Sequence, residues 1–313
     1  MTIEAQALQC GDFIDWTSDG TYTPGTVIQL RDGRAGVVTQ DCVSGDVVAV
    51  QIEGVYTMQK TTSMVVLIGS SLFWDHSANK VHLLHRYDRD FFVGTAYEDA
   101  TSAATTIKVN LNVKPVYTVG LEHGFASIPI NTAGFPFVAG SGQGCILGFS
   151  ATAEAQKVDA LSLRGMAPAA IAIVDALICV NNGGDAAALD LSIGLANGTH
   201  ATDADSITES LFIHIDGSSV NILAESDDGT TEVAATDTTV DYTAGTPFLA
   251  QWDLRNLSDI QLYIDGVNVL PSSVFKLNAA TGPLKVLAHM EKTSDDTPGN
   301  VSVGLLGARA AQV

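Results

Sequence analysis

The sequence predicts an all-β protein of two domains, a small β-barrel-like domain followed by an antiparallel β-sandwich, and three observations carry that prediction. Apolar residues recur at every second position in stretch after stretch, as at Val48, Val50 and Ile52 or at Leu189, Leu191, Ile193 and Leu195. That is the period of a strand with one buried face. Aspartate-glycine pairs, the two-residue hairpin signal, fall between such stretches at 32–33, 216–217 and 265–266. The chain has 313 residues, 46% of them hydrophobic and only 16% charged, against roughly 25% in an ordinary soluble protein. That length and apolar content supply two cores beneath a low-charge surface.

The opening segment has little periodicity and is punctuated by Pro24 and Gly25, so it is expected to be an extended arm. A first strand is predicted over 26–30. Val37 and Val38 then lead into a turn, and Val48, Val50 and Ile52 alternate with Ala49, Gln51 and Glu53. Gly54 interrupts this strand, and a glycine at such a place marks a bend, so residues 55–58 should continue in a new direction and close a small barrel. Further strands are expected over 64–68, 72–75, 80–84, 91–96 and 106–111, with Trp74 as a core anchor.

The order GVV (36–38), a short polar turn, SGD (44–46), VVAVQIEGVYTMQK (47–60) and GSSLFWD (69–75) resembles the N-terminal domain of tailed-phage capsid decoration proteins, also called cement proteins. The resemblance covers roughly residues 1–111. It implies a structural role without catalysis, with the major capsid protein as partner and the outer capsid surface of the virion as location. It also implies a homotrimer, because such proteins sit at local threefold positions.

Residues 112–148 hold Pro115, Pro129, Pro136 and the glycine cluster AGSGQG, and are expected to be a linker. The second domain then spans 149–313. Leu189 to Leu195 and Leu211, Ile213 and Ile215 read as half-buried strands, with Asp190, Ser192 and Gly194 on the opposite face. Strands are also expected over 220–224, 248–254, 260–264, 267–269, 284–290 and 301–306, which gives the strand count of a two-sheet sandwich. The segment FLAQWDLRNLSDIQLYIDGVNVL (248–270) resembles the paired strands of concanavalin-like and laminin-G-like sandwiches, which implies a jelly-roll shape and by itself no sugar binding.

One stretch, 169–180, is apolar on both faces. Ile171, Ile173, Leu177 and Cys179 are assigned to one face and Val174, Ile178 and Val180 to the other, so the strand needs two covers. The second cover is expected from the first domain or from another protomer. These residues, with Tyr242, Trp252 and Tyr263 as an aromatic platform for a host-surface glycan, form the candidate interaction set.

The formal charge of −20 excludes a phosphate-gripping basic face, so no nucleic acid partner is expected. No secretory signal opens the chain, which is expected to be made and kept in the host cytoplasm until assembly. The most apolar run, 166–180, is interrupted by Asp175 and falls short of the roughly 20 residues of a membrane helix. Cys10, Cys42, Cys145 and Cys179 form no CxxC pair and are expected to be free. The sequence has no H-E-x-x-H, G-x-S-x-G or Walker motif, and 139–144 has no following GK[ST], so no catalytic residue, cofactor or metal is assigned and the chain is read as no enzyme. His82 and His85 should face opposite sides of a strand. Asp203/Asp205, Asp227/Asp228 and Asp295/Asp296 are the residues that Ca²⁺ would call for, and are read as solvated loop carboxylates. Asn197, Asn256 and Asn300 match the glycosylation pattern and are read as turn residues.

Overall fold

A computed structural model of the chain describes residues 11–130, 137–141, 144–149, 152–184, 189–201, 203–293 and 299–311. It is all-β, and it divides into two compact units, residues 1–116 and 117–313.

In the first unit, β1 (Phe13–Thr17), β2 (Val27–Gln29), β3 (Ala35–Val38) and β4 (Val47–Gln51) make a four-stranded antiparallel sheet in the order β1-β4-β3-β2. The inward residues are those the alternation marks. Val48, Val50 and Ile52 join Ile28, Leu30, Val38 and Cys42 in one cluster, with Ile14, Trp16 and Tyr22 packed against it. Gly54, at φ +115, is where the chain leaves this sheet for the next, a conformation that a side chain would strain. The second sheet holds β5 (Val55–Gln59), β6 (Ser71–Asp75), β7 (Lys80–His82), β8 (Phe91–Ala96) and β9 (Thr106–Leu111), in the order β5-β9-β8-β6-β7. Asn112, just beyond β9, ties the sheets together. Its amide oxygen accepts the Ala35 N–H at 2.9 Å, and its Nδ2 donates to the carbonyls of Ala35 and Ile52 at 2.9 and 2.7 Å.

The second unit begins within the stretch expected to be a linker. It comprises β10 (Val119–Gly120), β11 (Phe125–Ile130), β12 (Phe137–Ser141), β13 (Gly144–Gly148), β14 (Gln156–Ser162), β15 (Ile171–Asn182) and β16 (Asp190–Ala196). It continues with β17 (Glu209–Asp216), β18 (Asn221–Asp228), β19 (Glu232–Asp241), β20 (Phe248–Asp253), β21 (Gln261–Ile264), β22 (Val267–Val269), β23 (Lys285–Lys292) and β24 (Asn300–Ala310). One antiparallel sheet runs β12-β13-β24-β15-β20-β21-β22, with β10 also on β24, and the other runs β11-β14-β23-β16-β17-β18-β19. A single core lies between them, with Val174, Ile178, Trp252, Leu306 and Leu147 from the first sheet meeting Val158, Ile193, Ile213 and Met290 from the second.

The linker expectation over 112–148 is therefore corrected for the described residues from Val119 onward. Val119, Leu121, Cys145 and Leu147 are core residues of the sandwich, and Gly140 and Gly144 stand in the paired strands β12 and β13 rather than in a tether, while 142–143 lie outside the described residues. Glycine and proline punctuate hairpins as readily as linkers, and only the pairing partner β24, far along the chain, distinguishes the two.

The faces of β15 are also corrected. A bulge between Ile171 and Ile173 shifts the alternation, so Ile171 joins Val174, Ala176, Ile178 and Val180 on the core side. The outward face is covered at Ile173, 1% exposed, and at Asp175, 2% exposed. Asp175 accepts from Gln251 Nε2 at 2.7 Å and from the Arg309 guanidinium at 3.0 Å, and a second Arg309 nitrogen stands 2.8 Å away. Tyr117 lies against Gly307 beside this pair, and burial, then the Asp175 charge, push its phenol well above the usual range. A fully buried charge is tolerated because it is paired and hydrogen-bonded.

Candidate functional site

The outer face of the β11-to-β19 sheet was expected to be the solvated side of half-buried strands. It is instead a covered polar stripe. Residues opposite one another on paired strands share a face. Asp159 on β14 faces His289 on β23, which faces Ser192 on β16, which faces His214 on β17. One pleat away, Lys157, Glu291, Asp190 and Asp216 form a parallel row. Asp159 and Ser192 are 0% exposed and His289 1%. A small apolar patch of Leu161, Ala196, Ala204, Ile207, Phe212 and Leu287 packs the segment after β16 onto the same face.

Two histidines organise the stripe. His289 Nδ1 bonds Asp159 Oδ1 at 2.6 Å, its Nε2 stands 3.5 Å from Glu291 Oε2, and Lys157 Nζ lies 3.4 Å from the other Asp159 oxygen. Burial opposes a charge on this ring, but the bond to Asp159 and the Glu291 carboxylate beside it overcome it and raise its pKa to about 9. His214 Nδ1 faces three carboxylates, Asp205 Oδ1 at 3.5 Å, Glu225 Oε1 at 3.6 Å and Asp190 Oδ1 at 3.8 Å. Burial again opposes its charge, and the carboxylates hold its proton up to about 11. Burial pushes Asp190 up to about 6 and Glu225 upward, while the nearby His214 ring holds Asp205 below its ordinary value.

Sheet geometry fixes three of these groups. His214 is opposite Ser192, two residues from Asp190, and Glu225 pairs with Phe212, two residues from His214. The carboxylates therefore reach the imidazole diagonally from the strands on either side. Asp205 comes from a short 3₁₀ turn whose start is held by Asp203, the side chain of which accepts the Asp205 N–H at 2.8 Å. The ligand atoms of Asp190, Asp205 and His214 lie within 4.8 Å of one another, as do those of Asp190, Asp203 and Glu291. The cluster has the donors to hold a cation. It presents no serine–histidine nucleophile pair, since the Ser192 hydroxyl is directed to Asp190 at 3.4 Å.

The sequence-derived candidates fall elsewhere. Ile171, Ile173, Val174, Ile178 and Val180 are each 2% exposed or less within one chain, so burial of these residues requires no second protomer. Trp252 is a core residue, 1% exposed and edge-on to Phe275 at 5.1 Å, and Tyr242 is buried with its hydroxyl 3.4 Å from the Ser219 carbonyl. Neither supplies a surface platform, and only Tyr263 of the three is partly exposed. His82 is buried beside Asp90 while His85 packs against Phe73, so the two do not converge. Asp227 and Asp228 accept backbone N–H groups of the β18–β19 turn, as turn carboxylates do. Asn256 accepts the Ser258 N–H in the same manner. Asp203 and Asp205, read as solvated, stand instead at the stripe, whereas Asp295 and Asp296 lie outside the described residues. Cys42, Cys145 and Cys179 are free, and Cys10 lies outside the described residues. No helix among the described residues is long and apolar enough to cross a membrane.

Residues 8–111 match a family described as phage cement protein. No curated protein matches the chain. Solved structures similar to part of it include the carbohydrate-binding module CBM66 from Bacillus subtilis, at 6% identity and TM-score 0.37 over 57% of this chain and 92% of that one. They also include the alginate lyase AlgAT5 of polysaccharide lyase family 7, at 14% identity and TM-score 0.39 over 58% and 85%. The Emp47p carbohydrate recognition domain is a third, at 7% identity and TM-score 0.42 over 59% and 89%.

Proposed function

We propose that the chain is a capsid decoration protein whose first unit binds the major capsid protein on the outer surface of a phage head and stabilises the shell. The observation that carries this reading is the cement-family match over residues 8–111, which spans almost the whole of the first compact unit, 1–116. The surface of that unit is consistent with a contact made through strand edges and apolar side chains. β1 is an edge strand, and Phe13, Val43 and Val47 are exposed at 46%, 54% and 65%. The chain acts in this reading as a structural protein and not as an enzyme. A homotrimer at local threefold positions is the finer form of the proposal, and it rests on the family likeness now that the β15 residues are covered within one chain. The test is sedimentation of the full-length protein with undecorated heads, with light scattering on the free protein. Saturable co-sedimentation supports the reading, and its absence at all accessible concentrations overturns it.

The alternative is a host-surface or glycan-binding module displayed on the virion. The exposed Asp205 carboxylate at the edge of the polar stripe supports it, while the burial of Trp252 and Tyr242 counts against an aromatic platform. Binding of the full-length chain on a glycan array would favour this second reading.

A further inference from the structure

We propose that Asp190, Asp205, His214 and Glu225 form a binding site for one divalent first-row transition ion, of the Mn²⁺ or Zn²⁺ class, on the outer face of the sandwich.

The distances carry the first part of the argument. Three carboxylate oxygens surround His214 Nδ1 at 3.5, 3.6 and 3.8 Å. A direct N–H···O bond runs to about 3.2 Å, so these are longer than hydrogen bonds. Around a tetrahedral ion with ligands at about 2.1 Å, neighbouring ligand atoms are about 3.4 Å apart, which is close to the spacing found here. The ligand atoms of Asp190, Asp205 and His214 lie within 4.8 Å of one another, and Glu225 Oε1 stands 3.6 Å from the same His214 nitrogen.

The second part is the bonding of the buried atoms. His214 Nδ1 and Glu225 Oε1 are buried without a hydrogen-bond partner, and both side chains are 10% exposed. These two atoms face each other at 3.6 Å, beyond hydrogen-bond reach, whereas a buried polar atom normally has a closer partner. A cation there, displacing the His214 proton, would bond both atoms and offset three carboxylates gathered in a chain that already carries −20.

Ligand type decides the ion. One imidazole with three carboxylates suits Mn²⁺ or Zn²⁺, whereas Ca²⁺ takes six to eight oxygens. The scaffold is suited to the task. Asp190, His214 and Glu225 stand on three adjacent strands of one sheet, and only Asp205 comes from the segment after β16, where its side chain is 47% exposed. That segment provides an entry path, and Asp205 would close the site as the ion binds.

The test uses the full-length protein stripped with chelator and titrated calorimetrically with MnCl₂, ZnCl₂ and CaCl₂ separately, with Mn²⁺ also followed by loss of its free electron paramagnetic signal. The expected result is one equivalent of Mn²⁺ or Zn²⁺ bound, with Ca²⁺ weaker. Asp205→Asn, at an exposed position that leaves the sheet intact, should weaken binding about tenfold or more, and His214→Gln further still. Melting of His214→Gln shows whether it is folded, and Asp205→Asn decides the matter if it is not. The proposal is overturned if neither Mn²⁺ nor Zn²⁺ binds at millimolar concentration, if Asp205→Asn binds like the parent, or if Ca²⁺ alone binds.

Discussion

Asn112 concentrates in one side chain the link between the two sheets of the first unit. It holds φ +60, a conformation asparagine tolerates better than most residues, and makes three bonds to the β3–β4 sheet. Asn112→Ala removes the bonds and leaves backbone groups of Ala35 and Ile52 unmatched, so the first unit should lose roughly 2–4 kcal/mol in chemical denaturation. Asn112→Gly, which keeps the backbone free to hold its angle, should lose less. Equal stability of parent and alanine variant would remove Asn112 as the tie. His82 makes a second residue-scale prediction. Burial, then the Arg86 charge, hold its pKa below 6.5, against opposing pulls from Asp90 and Asp75. The unfolded chain therefore takes up its proton first. Stability tied to His82 is complete above pH 6.5 and is lost as pH falls toward the lowered folded value. Asp75, held below its ordinary value chiefly by the Ser77 hydroxyl, adds loss of the same sign at lower pH. Melting of the first unit should fall between pH 7 and 5, and His82→Gln should flatten that slope; an unchanged slope would show that other groups set it. Asp175 illustrates what sequence reading reaches at this scale. Its charge inside an apolar run is plain, but its partners Gln251 and Arg309 lie 76 and 134 residues away.

Strands were legible where one face is apolar and the other is not. β4, β16 and β17 appear in the sequence as alternations, and the Asp265-Gly266 turn joins β21 to β22 where expected. β1 was missed because it is an edge strand with no strongly buried residue, and β14 because Gln156, Lys157, Asp159 and Ser162 interrupt the apolar pattern although every residue in it is buried. The same interruption hid the stripe. Asp190 and Ser192 were recognised as facing away from the core, but the order β14-β23-β16-β17-β18, which sets Asp159 against His289 and brings Glu225 diagonally to His214, is a tertiary fact. The recurrence of His214, Glu225, His289 and Glu291 at outward positions was the available signal. Bulges are the other hidden feature. β8 departs from regular pairing with β6 between Leu72 and Phe73, and Gly94 there has φ +149, with the Asn110 carbonyl oxygen 2.1 Å from where a Cβ would stand. Gly94→Ala should therefore disrupt β8 and its pairing with β9, and lower the melting temperature of the first unit. A variant that melts with the parent would mean that the bulge relaxes without loss.

At the scale of the whole molecule, the proposed decoration role makes a prediction about the assembled shell. A decoration protein that bridges capsomers binds the closed shell and not its free subunits, so by linkage it adds stability only to the assembled state. Contacts through strand edges and exposed apolar side chains should also resist salt better than ion pairs would. The most direct measurement is the temperature at which heads release packaged DNA, with and without the full-length protein, at low and at high ionic strength. The cement account predicts a higher release temperature with the protein bound, and a gain that persists at high salt. Identical release temperatures with saturating protein would contradict it.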